Sequence, residues 1–372
     1  MTTNTRPDTG ALVQSLLDTV GGATFETWYD ERQFTENIRS GKPWLNTPPP
    51  VKPPERHSPS QLYQCHRKIY YRQLNAPEET EDPEGIFWTG SKFEEEVVMP
   101  YLESIVDDRA YVRNSMWVDY TVETSAGEVQ VRGSTDPVIV DEESTPLLPT
   151  EVKTKDSIEN TTEPNEHHLA QLYAYMEGLS QEWETEIRDG LIIYGDRTNL
   201  SIKSFHVRFD RKRWGELVSD WAGTHTEYRL NKELPPADPV FGWECNFCSF
   251  QSRCGKAAGT TYGDEGVTGF LPGFTYPPEK VETYLESHIG AKLTPTLATS
   301  YPDLAEQYGA YDWRCEAKSH TFEIDSVEWD GDSGAYPVCP SCVSDGILSE
   351  LIEPGLEEQG IADLGDSEDE SS

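Results

Sequence analysis

Three of the chain's seven cysteines stand close together, Cys245, Cys248 and Cys254 in WECNFCSFQSRC, and a fourth, Cys65 in QLYQCHRKIYY, lies far upstream. If these four share one ligation site, residue 65 is stapled to residue 254, and the chain between them must fold as one closed unit. Short cysteine spacings in a chain without a secretory leader point to metal ligation before disulfides. A C-x2-C-x5-C run with one distant partner departs from the two short ligand pairs of a zinc ribbon and suits an iron–sulfur centre held by thiolates. Zinc held by four cysteines and simple buried thiols are the competing readings.

The chain carries 67 acidic residues against 30 basic ones, a formal charge of −37. Such a charge suggests disorder at first. Ten Trp, 18 Tyr and 12 Phe argue instead for a folded chain with a core. An acidic surface of this size fits a protein adapted to strong salt, where counterions screen its self-repulsion. The acidity is therefore a mark of halophilic habitat and says little about the partner. No apolar run is long enough to span a membrane. MTTNTRPDTG has neither the basic start nor the apolar stretch of a signal peptide, so a cytoplasmic location is expected.

Periodicity predicts a helix over residues 11–40, followed by the Pro-rich stretch NTPPPVKPPERHSPS, which reads as a linker. Ser58 and Pro59 resemble an N-cap and first helical position, and a second helix is expected from Ser91 to Ile105. SMWVDYTV, EVQVRGSTDPVIV and LLPTEVKTK read as strands, 166–180 as a helix, and GLIIYG and SIKSFHVRF as strands. Asp210 to Leu230 reads as a helix leading into the cysteines. This order predicts an α/β core with a mixed sheet. Residues 257–305, rich in Gly and Pro, are expected to be a connection. Residues 306–352 form a small Cys-containing unit, and 353–372 an acidic, disordered tail.

Chemistry concentrates at Asp136 and at Glu151-Val152-Lys153. Residues i and i+2 of a strand share a face, so Glu151 and Lys153 project together. Two carboxylates can hold a divalent cation through hard oxygen ligands, and the ion can activate a water against a phosphodiester. A lysine beside them can orient that water and stabilise developing negative charge. E-x-K alone is weak, since in an acidic chain it is commonly a solvated strand face. Asp136 adds weight because it interrupts the otherwise apolar GSTDPVIV. Gln171 and Tyr175, four apart on one helical face of HHLAQLYAYM, could contact phosphate or help orient the lysine, or merely flank a core of Leu169, Leu172 and Tyr173. Glu94 could reach the metal from the start of its helix, although Glu95 and Glu96 compete with it for that role.

A nuclease must approach a polyanion. The densest basic cluster, Arg208, Arg211, Lys212 and Arg213 with Phe209 and Trp214 interleaved, suits a backbone-tracking and base-stacking surface; an exposed helix start capped by Asp210 accounts for it equally well. Near the C-terminus, Cys315, His320, Cys339 and Cys342 could make a Cys3His zinc site. Lys318 and Ser319 stand where a ribbon knuckle would have Cys and Gly, so a degenerate ribbon without metal is the alternative.

Over residues 58–256 the chain resembles the Cas4 and RecB-type exonucleases of the PD-(D/E)XK superfamily, with relatives in the AddB and Dna2 nuclease domains. SPSQLYQCHRKIYY is similar to the helix bearing the family's first cluster cysteine, here Cys65, and CNFCSFQSRC to its last three. GSTDP with EVK resembles the metal-binding acids and catalytic lysine, and QLYAY the Q-x3-Y motif. In one chain and in this order the motifs are specific. The resemblance implies a restriction-endonuclease-like α/β core over 58–256, with a 4Fe-4S cluster on Cys65, Cys245, Cys248 and Cys254 and Mg2+ or Mn2+ held by Asp136 and Glu151. Outside it the chain reads as a helical segment and linker over 1–57 and a zinc-ribbon-like unit over 306–352, with Zn2+ as a candidate further metal. The activity implied is DNA exonuclease chemistry on single-stranded ends, in CRISPR adaptation and antiviral defence or in repair, alongside protein partners of those processes. The alternative is a catalytically weak DNA-end-binding adaptor that keeps the fold and cluster. The family often carries a histidine where this chain has Glu94, and a glutamate can still bind a hard cation.

Overall fold

The computed structural model describes residues 9–39, 47, 50–332 and 334–360, and these fall into two units divided after Pro50. In the first unit the helix expected over 11–40 is two helices, α1 (Thr9–Thr19) and α2 (Gly22–Arg39). Their apolar residues Leu16, Leu17, Phe25 and Trp28 are exposed.

In the second unit the Pro-rich stretch ends inside the fold and is not wholly a linker. Arg56–His57, β1, pairs in parallel with the strand over 127–134, matching His57 to Val131. The helix expected from Ser58 starts later. Ser58 and Pro59 open only a short 3-10 turn, Pro59–Gln61. Tyr63 then takes a φ of 57°, in the left-handed region that a right-handed helix cannot pass through. Cys65 becomes the N-cap of α3 (His66–Gln73). The helix expected over Ser91–Ile105 is α4 (Glu84–Phe93), a π turn over Glu94–Val98, and α5 (Met99–Ile105).

The period-two runs fold as strands but divide between two sheets. After β2 (Ala110–Arg113), β3 (Trp117–Thr124) and β4 (Gly127–Ser134) form an antiparallel hairpin beside β1. The burial along β3 alternates, as expected of a strand with one face on the core. β5 (Val138–Asp141) and β6 (Pro146–Lys155) belong to a five-stranded sheet, order β2-β5-β6-β7-β8, with β7 (Asp189–Asp196) and β8 (Ile202–Arg208). The β6–β7 pair is parallel and the others antiparallel. A parallel neighbour requires a crossover, and α6 (Glu166–Glu182) supplies it. The mixed sheet agrees with the sequence reading.

Both faces of β6 are covered. On one, α6 packs so closely over β3 that a Cβ at Gly178 would come within 2.8 Å of Val118 and Tyr120. On the other, Phe93, Val98 and Leu102 cover Val152 and Ile193, with the Phe93 ring filling the space a side chain at Gly195 would need. The segment over 210–230 is helical as expected, α7 (Arg211–Trp214) running through a π turn over Gly215–Ser219 into α8 (Asp220–Leu230).

Where α3 meets α8, three histidines surround Trp221. His66 stacks on the indole at 4.8 Å, His225 at 5.1 Å, and His57 meets it edge-on at 5.9 Å. Desolvation pushes His57 down to about 3, His66 down to about 4 and His225 well below the usual range. The folded state therefore binds fewer protons than the unfolded chain below pH 6.5. Stability is level above the usual histidine pKa and is lost as pH falls through it toward 4. Urea unfolding at constant KCl should show a loss on the order of 2–4 kcal/mol between pH 7.5 and 5 for the three together. Equal stability at the two pH values would refute the neutral-histidine cluster.

Residues 257–305 are more than a connection. α9 (Pro278–Ser287), α10 (Pro295–Ser300) and the stretch around Phe270 build a second apolar core with Tyr276, Tyr284 and Leu293. α11 (Pro302–Tyr308) leads to a small antiparallel sheet of β9 (Trp313–Cys315), β10 (Thr321–Phe322) and β11 (Leu351–Ile352), with α12 (Pro340–Ser344) between the last two. The expected tail begins later than residue 353. Glu353 is buried and accepts from Gly273 N, at 2.5 Å, and from Thr296 N. Gln359 Oε1 accepts from Phe270 N at 2.8 Å. Residues 361–372 of that tail lie outside the described residues.

Candidate functional site

Asp136 sits between the two sheets, in the Thr135-Asp136-Pro137 break that separates β4 from β5, not within one strand. Pro137 has no N–H for a ladder, and β6 runs on past the start of β5. Beyond the last β5–β6 pair, Val138–Pro149, Asp136 Oδ2 accepts from Val152 N at 2.7 Å. That bond fixes the carboxylate beside Glu151 and Lys153. Lys153 Nζ touches Glu151 Oε1 and lies 3.8 Å from Asp136 Oδ2.

Glu151 is fully buried, with the Lys153 ammonium against Oε1 and the Tyr175 hydroxyl beside the carboxylate. Desolvation and then the Asp136 charge push its carboxyl well above the usual range, with the Lys153 ammonium opposing. Lys153 is itself desolvated, but the charges of Glu151, Asp136 and, more weakly, Glu94 outweigh that and hold it protonated. Tyr175, buried, is held protonated by desolvation and the same two acids, and its hydroxyl accepts from Gln171 Nε2 at 2.5 Å. Five of the candidate residues thus converge on one end of β6 and one face of α6. Glu94 opens the π turn, a feature found often at functional sites.

An isolated buried carboxylate is costly. Here two acids share one ammonium, and the deeper acid has unused lone pairs. That donor set suits a hard divalent cation.

Cys65, Cys245, Cys248 and Cys254 line one cavity together with Arg67 and Lys68. Desolvation raises Cys65 and Cys254 and pushes Cys248 up to about 11. Thiols so placed would release protons on binding metal. The short-range linkage depends on Glu244, which sequence reading passed over. Its Oε2 accepts from Cys65 N at 2.8 Å and its Oε1 from Phe241 N at 3.1 Å. It thereby ties the start of α3 to the turn bearing Cys245 and Cys248. Its only signal in the sequence is its place beside Cys245. Glu79 does the same for the far end, accepting from Ser252 N and Arg253 N, each at 2.8 Å.

Cys315, His320, Cys339 and Cys342 bring their ligand atoms within 4.8 Å of one another; among the described residues only this group does so. Cys315 Sγ lies 3.5 Å from Cys342 Sγ, and His320 Nδ1 3.4 Å from Cys339 Sγ. A tetrahedral site with metal–sulfur bonds of about 2.3 Å has edges of about 3.8 Å. The loop lacking a second cysteine closes through Cys315 N donating to His320 O at 2.9 Å, while Lys318 turns away to pair with Asp345. Cys65, Cys245, Cys248 and Cys254 share a cavity but do not meet the 4.8 Å spacing.

The basic segment over 208–213 is neutralised. Arg208 faces Asp189, Arg211 pairs with Glu177 at 2.8 Å, Lys212 with Glu216, and Arg213 with Glu166 and Glu216. Asp210 caps the helix, accepting from Lys212 N at 2.9 Å. This favours the capped-helix reading over a DNA surface. No described helix is long and apolar enough to cross a membrane.

Compared with known families, residues 34–255 match the profile described as the PD-(D/E)XK nuclease superfamily. No curated protein matches. Among solved structures, the crystal structure of SSO0001 aligns over 55% of this chain and 88% of its own, at 17% identity and a TM-score of 0.38. At that distance nothing is built on the likeness.

Proposed function

Because the chain belongs to the PD-(D/E)XK nuclease superfamily, we propose that it is a divalent-metal-dependent DNA exonuclease of the Cas4/RecB type, acting on single-stranded ends. The observation that carries the reading is Glu151: a fully buried carboxylate set beside a second acid, the two sharing one lysine. Asp136 and Glu151 would hold Mg2+ or Mn2+, with Glu94 as a further oxygen donor. The ion supplies Lewis acidity toward the phosphate and its bound water. Lys153, fixed between the two acids and held protonated, orients the attacking water and stabilises charge developing on the phosphate. The Gln171–Tyr175 pair holds the α6 side of Glu151 in place. DNA-end chemistry fits CRISPR adaptation or repair. The test is cleavage of an end-labelled single strand in KCl with Mn2+, abolished by EDTA; an inert, fully metal-loaded protein would sink the reading.

Cys65, Cys245, Cys248 and Cys254 would hold a 4Fe-4S cluster, supported by their common cavity, and Cys315, His320, Cys339 and Cys342 a zinc ion, supported by tetrahedral spacing. Anaerobically purified protein should be brown, with about four irons per chain. Colourless protein with zinc in the upstream site would overturn the first assignment.

A further inference from the structure

On α6 one residue precedes the Gln171–Tyr175 pair by a further turn: His167, at i−4 from Gln171, lies on the same helical face. It does not stand alone. Its ring lies 5.6 Å from Phe241 and 5.4 Å from Trp243, the last two are stacked at 5.7 Å and 16°, and Tyr63 meets Phe241 edge-on at 6.2 Å. These four rings bridge two places described above. Tyr63 and Phe241 belong to the segments that carry Cys65 and Cys245, and His167 belongs to the helix that flanks Glu151. Trp243 is 45% exposed, unusually open for a ring with two aromatic neighbours.

Two cations border the rings. Lys155 lies 4.0 Å over the Tyr194 ring, whose hydroxyl is 2.8 Å from His168 Nδ1, one residue along from His167. Lys68 is on the lining of the cysteine cavity. Unlike the cations over 208–213, neither is in an ion pair among the described residues. Desolvation, with help from Lys153, Lys68 and Lys155, pushes His167 down to about 4, so at neutral pH it presents a neutral ring.

Resting on the nuclease reading above, we infer that Tyr63, His167, Phe241 and Trp243 form a stacking platform for the unpaired bases of a single strand running into the Asp136–Glu151 site. An open aromatic face takes any base by its π surface, and duplex DNA, with its bases already stacked, cannot use it. The ammonium groups of Lys155 and Lys68, the latter donating to Gln64 Oε1 at 3.1 Å, suit the phosphates of the same strand. The chemistry also fits the charge of the chain. Phosphate contacts weaken steeply with salt, whereas stacking does not depend on counterion release. A protein of net charge −37 whose densest basic cluster is already neutralised gains most from a salt-tolerant contact.

The test is binding of a labelled oligo-dT in KCl with EDTA present, followed by anisotropy. Trp243→Ala should weaken binding about tenfold or more, from the strength of one base–aromatic stack. Trp243→Phe should stay close to wild type. Blunt duplex binding, iron content and Mn2+-dependent hydrolysis of bis(p-nitrophenyl) phosphate should be unchanged in both variants. Because that small diester reports the metal site without a strand, an inert wild type would count against the nuclease reading and leave the binding measurement to judge the platform. Wild-type oligo-dT affinity in both Trp243→Ala and Phe241→Ala, or equal loss of duplex and single-strand binding, would overturn the inference.

Discussion

Replacing Glu151 with glutamine should abolish Mn2+-dependent DNA cleavage, by at least about 10³-fold in kcat, and should leave the metal-free protein as stable as the wild type or more so. The first half follows from the proposed ligand role, since the groups of such a site act as a unit and losing one member removes nearly the whole effect. The second half follows from burial. Glu151 has no exposure, and it shares Lys153 with Asp136. Removing its charge relieves desolvation and the repulsion from Asp136, while Lys153 keeps Asp136 as a partner. A gain on the order of 1 kcal/mol is the usual size for relieving such a functional strain. Mn2+ should raise the Tm of the wild type by binding only the folded state, and should no longer do so in Glu151→Gln. A structural carboxylate would behave in the opposite way, losing stability and keeping cleavage. Wild-type cleavage by the variant would remove Glu151 from the site.

The same residues show where the sequence was legible. Glu151 and Lys153 could be placed on one face because strand alternation is a local rule, and β6 obeys it. Gln171 and Tyr175 could be paired because helical spacing is equally local, and they are hydrogen-bonded. Asp136 was identified, but its setting was not. The run from Glu128 alternates only as far as Arg132 and ends in the continuous apolar Val138-Ile139-Val140, so Pro137 and this loss of period were the local marks of the change of sheet at Thr135-Asp136-Pro137. At the break Val152 N, past the start of β5, takes a side-chain oxygen instead of a strand carbonyl. That is a tertiary event. Glu244 was invisible for the same reason: a buried acid serving two backbone N–H groups has no pattern of its own. The basic segment over 208–213 could not be decided between a DNA surface and a capped helix start, since its partners Glu166, Glu177 and Asp189 come from elements distant in sequence.

Cys339→Ser should release one zinc per chain and melt the lobe from Trp313 to Ile352, while iron content and DNA cleavage persist. The lobe's buried apolar cluster is Trp313, Cys315, Cys339, Cys342 and Leu351. Three of its five members are proposed ligands, so without metal the lobe has one tryptophan and one leucine at its centre. So little core cannot order a small sheet, and a structural zinc contributes on the order of 10 kcal/mol to folding in such units. The remaining aromatics depend on the same centre: Trp329 and Tyr336 meet Trp313 edge-on at 5.1 and 5.5 Å. Trp313 environment and protease resistance of this region should therefore be lost together, in the variant and on chelation. The loss should stop near Tyr311. Glu353 and Gln359 bind the second apolar core around Phe270, and Tyr311 Oη donates to Gln359 O at 2.6 Å. For the same reason residues 306–352 cut out alone should not fold even with zinc, because their closing segment and its partners over 269–298 would be missing. The fragment that folds on adding zinc should run from about Tyr262 through Gly360. Unchanged zinc content and an unchanged proteolysis pattern in Cys339→Ser would show that packing alone holds the lobe.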